Sequence, residues 1–205
     1  MKKQVLVYLH NGYADWEIGF VLPELVKAGY AIRTVAAEGP AVTSLGGLRV
    51  QPELSLASLD PQEPFDLVIL PGGDSWSDPA NHKAILAMLP AWHRQGSRIA
   101  GICGAVTALA RIGFLDNVRH TSNYLPMTQQ SAPNYRGSHL HSERLAESDQ
   151  GLITASGIGA MEFAYEILKT LKVYDEAQAE EWLNFYKRAI PPQWLIKLAS
   201  SLSGK

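Results

Sequence analysis

The sequence predicts an α/β sandwich around a mostly parallel sheet, on three observations. Val5-Leu6-Val7-Tyr8-Leu9 and Leu67-Val68-Ile69-Leu70 are short apolar runs without polar alternation, which suits strands covered on both faces. Segments with apolar residues at helical spacing follow them, and glycine or proline punctuates the changes of period, as at Gly29, Pro71-Gly72-Gly73 and Gly96. Strand and helix patterns alternate along the chain, the order that puts helices on both faces of a parallel sheet.

After the first strand, Asp15 is the expected N-cap of a helix carrying Ile18, Leu22, Leu25 and Val26 to a stop at Gly29, with a kink at Pro23. Residues 32–37 read as the second strand. Between residues 40 and 60, Val42-Thr43 and Leu48-Val50 around Gly46-Gly47 read as a hairpin or a loop at the edge. Residues 67–70 form the next buried strand, and Ile85, Leu86, Leu89 and Trp92 mark a helix over 80–95. A strand over 98–102 then runs into a small-residue helix over 104–112. Leu152-Ile153-Thr154-Ala155 is the last strand expected, and Met161, Ala164, Tyr165, Leu168 and Leu171 line one face of the helix after it, with Glu162 near its start and Lys169 and Lys172 near its end. From Asp175 the tail reads as a helix to about Arg188, a break at Pro191-Pro192, and an amphipathic piece with Leu195, Leu198 and Leu202.

With 205 residues, 46% of them hydrophobic, and no linker or repeat, one domain over 1–205 is expected, extended by helices at about 175–205. Eighteen basic against 20 acidic residues leave no field to hold a polyanion or an anionic bilayer, so neither nucleic acid nor membrane is an expected partner. The chain has a single cysteine, and Met1-Lys2-Lys3-Gln4 leads into an apolar run too short for a signal-peptide core; both point to a cytoplasmic protein.

Ile99-Ala100-Gly101-Ile102-Cys103-Gly104-Ala105 carries the most chemistry. A buried strand there meets a tight glycine-flanked turn and a helix starts at once, the layout of a nucleophile elbow, with the helix N-terminus placed to favour a thiolate. Carboxyl ends of parallel strands are where ligands bind. Two more loops leave the same edge: His10-Asn11-Gly12-Tyr13-Ala14-Asp15-Trp16-Glu17, whose Glu17 can point back across the site, and Pro71-Gly72-Gly73-Asp74-Ser75-Trp76, whose glycines free amides for an oxyanion.

Four blocks in order, Ala14-Asp15-Trp16-Glu17, Leu70-Pro71-Gly72-Gly73, Ala100-Gly101-Ile102-Cys103-Gly104 and Ile153-Thr154-Ala155-Ser156-Gly157 with Glu162-Phe163-Ala164, resemble the ThiJ/PfpI family of class I glutamine amidotransferase-like proteins. The resemblance covers about residues 3–172 and implies a flavodoxin-like three-layer sandwich with a mostly parallel sheet and a nucleophile-elbow cysteine. It further implies that Cys103 is the reactive thiol, that Glu17 is the carboxyl group touching it, that the Gly73 and Gly104 amides bind an oxygen there, and that the chain forms a homodimer.

This sequence also departs from the family. Protease-like members carry histidine directly after the cysteine, where this chain has Gly104, so peptidase activity is not expected. Others place histidine after the strand that follows the elbow helix; here Arg119-His120-Thr121-Ser122-Asn123 stands, alignment puts Asn123 at that position, and His120 is retained as a residue that could lean over the thiol. His139 and His141 make half a metal site that nothing nearby completes, and His141-Ser142-Glu143 echoes the His-x-Glu pair of amidotransferases from the wrong side of the last strand. Neither metal nor cofactor is expected. Trp182, Phe185, Tyr186 and Trp194 read as packing of the tail. Two functions fit: a small-molecule hydrolase, amidase or lyase attacking a reactive carbonyl or related electrophile through Cys103, or a non-catalytic stress protein whose cysteine is oxidised. An amidotransferase-like protein is the remaining alternative.

Overall fold

The computed structural model describes residues 3–203. Met1, Lys2, Gly204 and Lys205 lie outside the described residues, and with them the extreme ends of the expected N-terminal and tail segments.

Among the described residues nine strands form in chain order: β1 Gln4–Tyr8, β2 Ala31–Ala36, β3 Val42–Thr43, β4 Arg49–Val50, β5 Leu54–Ser55, β6 Leu67–Leu70, β7 Arg98–Ile102, β8 Ala146–Asp149 and β9 Leu152–Ala155. Seven of them make one sheet in the order β5-β2-β1-β6-β7-β9-β8, parallel throughout except for the β8–β9 edge pair. The apolar runs that predicted strands are its centre, and every residue of β6 is buried. Side chains of β1 alternate between two cores: Val5 and Val7, with Leu9 just after the strand, on one face, Leu6 and Tyr8 on the other.

Helices cover both faces. Helices α1 (Val21–Lys27), α5 (Ala160–Thr170) and α6 (Glu176–Arg188) carry Leu25, Phe163, Ile167 and Trp182 onto the first core. Helices α2 (Lys83–Arg94) and α3 (Gly104–Arg111) bring Ile85, Trp92 and Leu109 onto the second. A short α4 (Leu125–Ser131) follows α3, and α7 (Gln193–Ser203) ends the chain. No helix among the described residues is long and apolar enough to cross a membrane.

The structure departs from the sequence expectations at several places. Asp15 does not cap a helix: Asp15–Glu17 is an isolated 3-10 turn, the Asp15 carboxylate accepts the Gly46 amide at 3.0 Å, and α1 starts at Val21. Pro23 is then the third residue of α1, where no amide has an intrahelical partner to lose. The region over 40–60 supplies both the β3–β4 hairpin and β5, which joins the main sheet beside β2. Strand β8 and helix α4 had no apolar signature, since Ala146-Glu147-Ser148-Asp149 and Leu125-Pro126-Met127-Thr128 lack the period that marks a buried element.

The tail is tied down. Asp175 and Gln178 make a capping box at the start of α6. Trp182 is only 8% exposed and stands edge-on to Phe20 at 6.4 Å, while the Tyr174 hydroxyl donates to Glu24 at 2.7 Å.

Candidate active site

Strand β7 ends at the buried Ile102, and Cys103 takes φ 59° and ψ −125°, a conformation that a residue with a Cβ holds only under strain of about 1–3 kcal/mol. Its amide still pairs with the Ala155 carbonyl of β9 at 2.9 Å, and the next residue opens α3, so the strain sits at one residue and lifts the thiol out of the sheet. The neighbourhood excludes side-chain bulk. A Cβ on Gly72 would lie 2.5 Å from Cys103 Cβ, and one on Gly157 would lie 3.0 Å from Cys103 Sγ.

Glu17 reaches the thiol from the 3-10 turn after β1. It is 1% exposed; one carboxylate oxygen accepts the Gly72 amide at 2.6 Å and the carboxyl group meets Cys103. Burial outweighs these contacts and pushes the Glu17 pKa up to about 7, so near neutrality it stands half protonated. The thiol is pushed up as well, first by burial and then by the Glu17 carboxylate, while the Asn123 amide and the Gly104 N–H pull it down. The thiolate expected from the helix N-terminus is therefore opposed by desolvation, and thiol and carboxyl behave as one coupled acid pair.

Asn123 completes the arrangement. Its Nδ2 donates to Cys103 Sγ at 3.2 Å, and its Oδ1 accepts the Gly157 amide at 2.8 Å. The structure does not bring His120 to the thiol. That ring is fully buried, with Nδ1 2.8 Å from the Val118 carbonyl and Nε2 2.5 Å from the Tyr135 hydroxyl. His141 lies 3.1 Å from Ser122 Oγ through Nε2 and 3.6 Å from Glu143 through Nδ1, engaged away from Cys103.

Of the two glycines whose amides are expected to bind an oxygen, Gly73 has φ 146°, which only glycine adopts readily, and a Cβ there would strike the Gly12 carbonyl. Gly104 is as crowded, since its Cβ would lie 2.8 Å from the Gly73 carbonyl. The two residues thus sit against each other beside Cys103. The Gly104 N–H points at the sulfur, and the Gly73 N–H donates to no protein acceptor among the described residues. The site so assembled offers a nucleophile, a group able to carry a proton near pH 7, an amide donor and a bare N–H. Asn123 was visible in the sequence only as the residue in the place of the family's histidine.

The DJ-1/PfpI family model matches residues 3–170. An uncharacterized protease, YoaZ, of Bacillus subtilis is 35% identical over 98% of both chains, and the glutathione-independent glyoxalase DJR-1.2 of Caenorhabditis elegans is 28% identical over 72% of this chain and 77% of that one. The crystal structure of a thiJ/pfpI family protein from Bacillus anthracis superposes with a TM-score of 0.87 at 37% identity, covering 98% of this chain and 97% of the other.

Proposed function

The chain belongs to the DJ-1/PfpI family, and from that premise we propose that it is a cysteine-dependent enzyme acting on a small reactive aldehyde, with Cys103 as nucleophile and Glu17 as proton carrier. The observation that carries this reading is the contact between a strained elbow thiol and a carboxyl group whose pKa lies near 7. A general acid–base works best when its pKa lies near the operating pH. The Cys103 sulfur, giving its proton to the Glu17 carboxylate, adds to the carbonyl carbon; the C=O π pair moves onto oxygen, which the Gly73 and Gly104 amides receive. Glu17 then returns the proton to that oxygen, giving a thiohemiacetal without change of oxidation state. In a 2-oxoaldehyde the adduct's C–H adjoins a second carbonyl, so the same carboxyl can move that proton across, and water releases a 2-hydroxy acid.

Peptide hydrolysis fits less well. No imidazole stands at the sulfur to shuttle a proton to a leaving amine: Gly104 follows Cys103, the side chain donating to the sulfur is the amide of Asn123, and Glu17 is left as the one proton carrier there among the described residues. The test is turnover of methylglyoxal to lactate by wild type and Cys103→Ala. Loss of turnover in the variant supports the reading, and equal rates overturn it.

Oxidation of Cys103 is the second reading, favoured by the absence of an imidazole at the sulfur. A protonated Glu17 can donate to a sulfinate, stabilising that rung of the thiol oxidation ladder. Mass spectrometry after stoichiometric peroxide separates it from over-oxidation to the sulfonic acid.

A further inference from the structure

Three chain segments touch or crowd the Cys103 sulfur, and each carries a large apolar side chain in the open. Glu17 meets the thiol, Asn123 donates to it at 3.2 Å, and a Cβ on Gly157 would lie 3.0 Å from it. The residues beside them in the chain are Trp16, Tyr124 and Ile158, which are 53%, 62% and 84% exposed. Consecutive Cα atoms stand about 3.8 Å apart, so all three side chains start one residue away from the groups that surround the sulfur. A single exposed apolar residue needs no explanation; three brought from distant parts of the chain to one nucleophile do.

The backbones that carry these side chains are held in place. The Trp16 carbonyl accepts the Gly19 amide at 3.4 Å, the Tyr124 carbonyl accepts the Thr128 amide at 3.1 Å, and the turn through Ile158 is closed by the Gly159 amide on the Ser156 carbonyl at 2.8 Å. Between them lies a polar floor: the Asn123 amide, the Glu17 carboxyl and the Gly73 N–H, which donates to no protein acceptor among the described residues. An apolar rim over a few convergent polar groups is the anatomy of a small-molecule site. A second copy of the chain seated on the same three side chains would cover that floor and shut the Gly73 N–H away from any acceptor, which is costly.

We propose that Trp16, Tyr124 and Ile158 form an apolar collar that selects what reaches Cys103: neutral electrophiles whose reacting carbon carries an aryl or branched alkyl group. This rests on the reading of Cys103 as a nucleophile toward small carbonyl compounds, and names which of them it takes. The apolar group leaves water against the collar while the carbonyl oxygen meets the amides beneath it. Charge decides against an anionic substrate. Neither lysine nor arginine touches Cys103, Glu17 or Asn123 among the described residues, and Glu17 itself is acidic. A substrate carboxylate would lose its hydration there and gain no counter-ion.

Alkylation of Cys103 tests the collar without asking for turnover. N-benzyliodoacetamide, iodoacetamide and iodoacetate share one step: the sulfur displaces iodide, the C–S bond forms as the C–I bond breaks, and the thiol proton passes to solvent. Dividing each rate by that of glutathione cancels intrinsic reactivity. Wild type is expected to favour the benzyl reagent over iodoacetamide by at least about tenfold, the low end of what an apolar contact discriminates, with iodoacetate slowest. Trp16→Ser, Tyr124→Ser and Ile158→Ser together are expected to abolish the preference while melting stays native, since all three side chains are exposed. The same variant should lose about tenfold in kcat/KM on phenylglyoxal and keep its rate on methylglyoxal. Benzyl selectivity without turnover of either glyoxal would uphold the collar and overturn the aldehyde reading. Equal corrected rates for the benzyl and plain reagents would overturn the collar, as would a preference that persists in the natively melting variant. A wild-type dimer that the variant splits while the preference persists would assign the three side chains to a second copy instead.

Discussion

Asn123 holds Cys103 Sγ from one side at 3.2 Å and is itself held by the Gly157 amide at 2.8 Å, so the sulfur's neutral hydrogen-bond donor is fixed by the loop after β9. Asn123→Ala removes a donor that favours the thiolate. Its thiol should titrate higher than wild type, and alkylation by iodoacetamide at fixed pH should slow by about threefold to tenfold, the worth of one hydrogen bond. Asn123→Asp should slow it further, since a second carboxylate then faces the sulfur. Unchanged rates in both would remove Asn123 from the site.

Glu17 acts on the same titration with the opposite sign. Its carboxylate raises the Cys103 pKa, so Glu17→Gln should move the midpoint of the alkylation profile to lower pH while the amide still accepts the Gly72 N–H. Wild type should titrate above the roughly 8.5 of a free thiol, in keeping with burial as the largest influence on Cys103. A wild-type midpoint below that value would show the helix N-terminus winning over desolvation.

Much of this architecture was legible in the sequence, and the exceptions have physical causes. Leu67-Val68-Ile69-Leu70 and Ile99-Ala100-Gly101-Ile102 announced central strands because both of their faces are buried. Ala146-Glu147-Ser148-Asp149 announced nothing, because an edge strand keeps polar residues and is held by its β9 partner. Cys103, Glu17, Gly73 and Gly104 could be placed together because each follows or precedes a strand end on one edge. The fate of His120 could not: whether a strand-end imidazole turns to the thiol or into the core depends on Tyr135, fifteen residues on, which offers it a hydroxyl.

His120→Asn therefore should cost stability through its lost bonds to Val118 and Tyr135, by about 1–3 kcal/mol in urea denaturation, since both ring nitrogens are engaged. The alkylation profile of Cys103 should not move. A shifted profile with unchanged stability would return His120 to the thiol.

Gly157→Ala and Gly72→Ala separate access from folding. The methyl at position 157 would stand 3.0 Å from the sulfur and 3.2 Å from a Glu17 oxygen, so it should shield the thiol and slow alkylation while the protein still folds. At position 72 it would stand 2.5 Å from Cys103 Cβ and 2.7 Å from the buried Glu17 Oε2, and overpacking of this kind costs about 1–3 kcal/mol. A Gly72→Ala protein as stable as wild type would mean that the elbow and Glu17 are less tightly juxtaposed than the geometry states.

Burial of Glu17 also makes stability depend on pH in a definite direction. Its pKa rises on folding from 4.5 to about 7, so the folded state binds this proton more tightly than the unfolded chain does. The stability contributed by the neutral carboxyl is then fully present below pH 4.5 and is lost as pH rises through about 7. A shift of this size corresponds to on the order of 3 kcal/mol. Glu17→Gln stays neutral throughout and can still accept the Gly72 amide, so it should match wild type near pH 4.5 and exceed it at pH 8. Urea denaturation at the two pH values reads the difference. Parallel pH dependences for the two proteins would show that Glu17 keeps an ordinary carboxylate pKa in the fold, and would take with it the proton carrier beside Cys103.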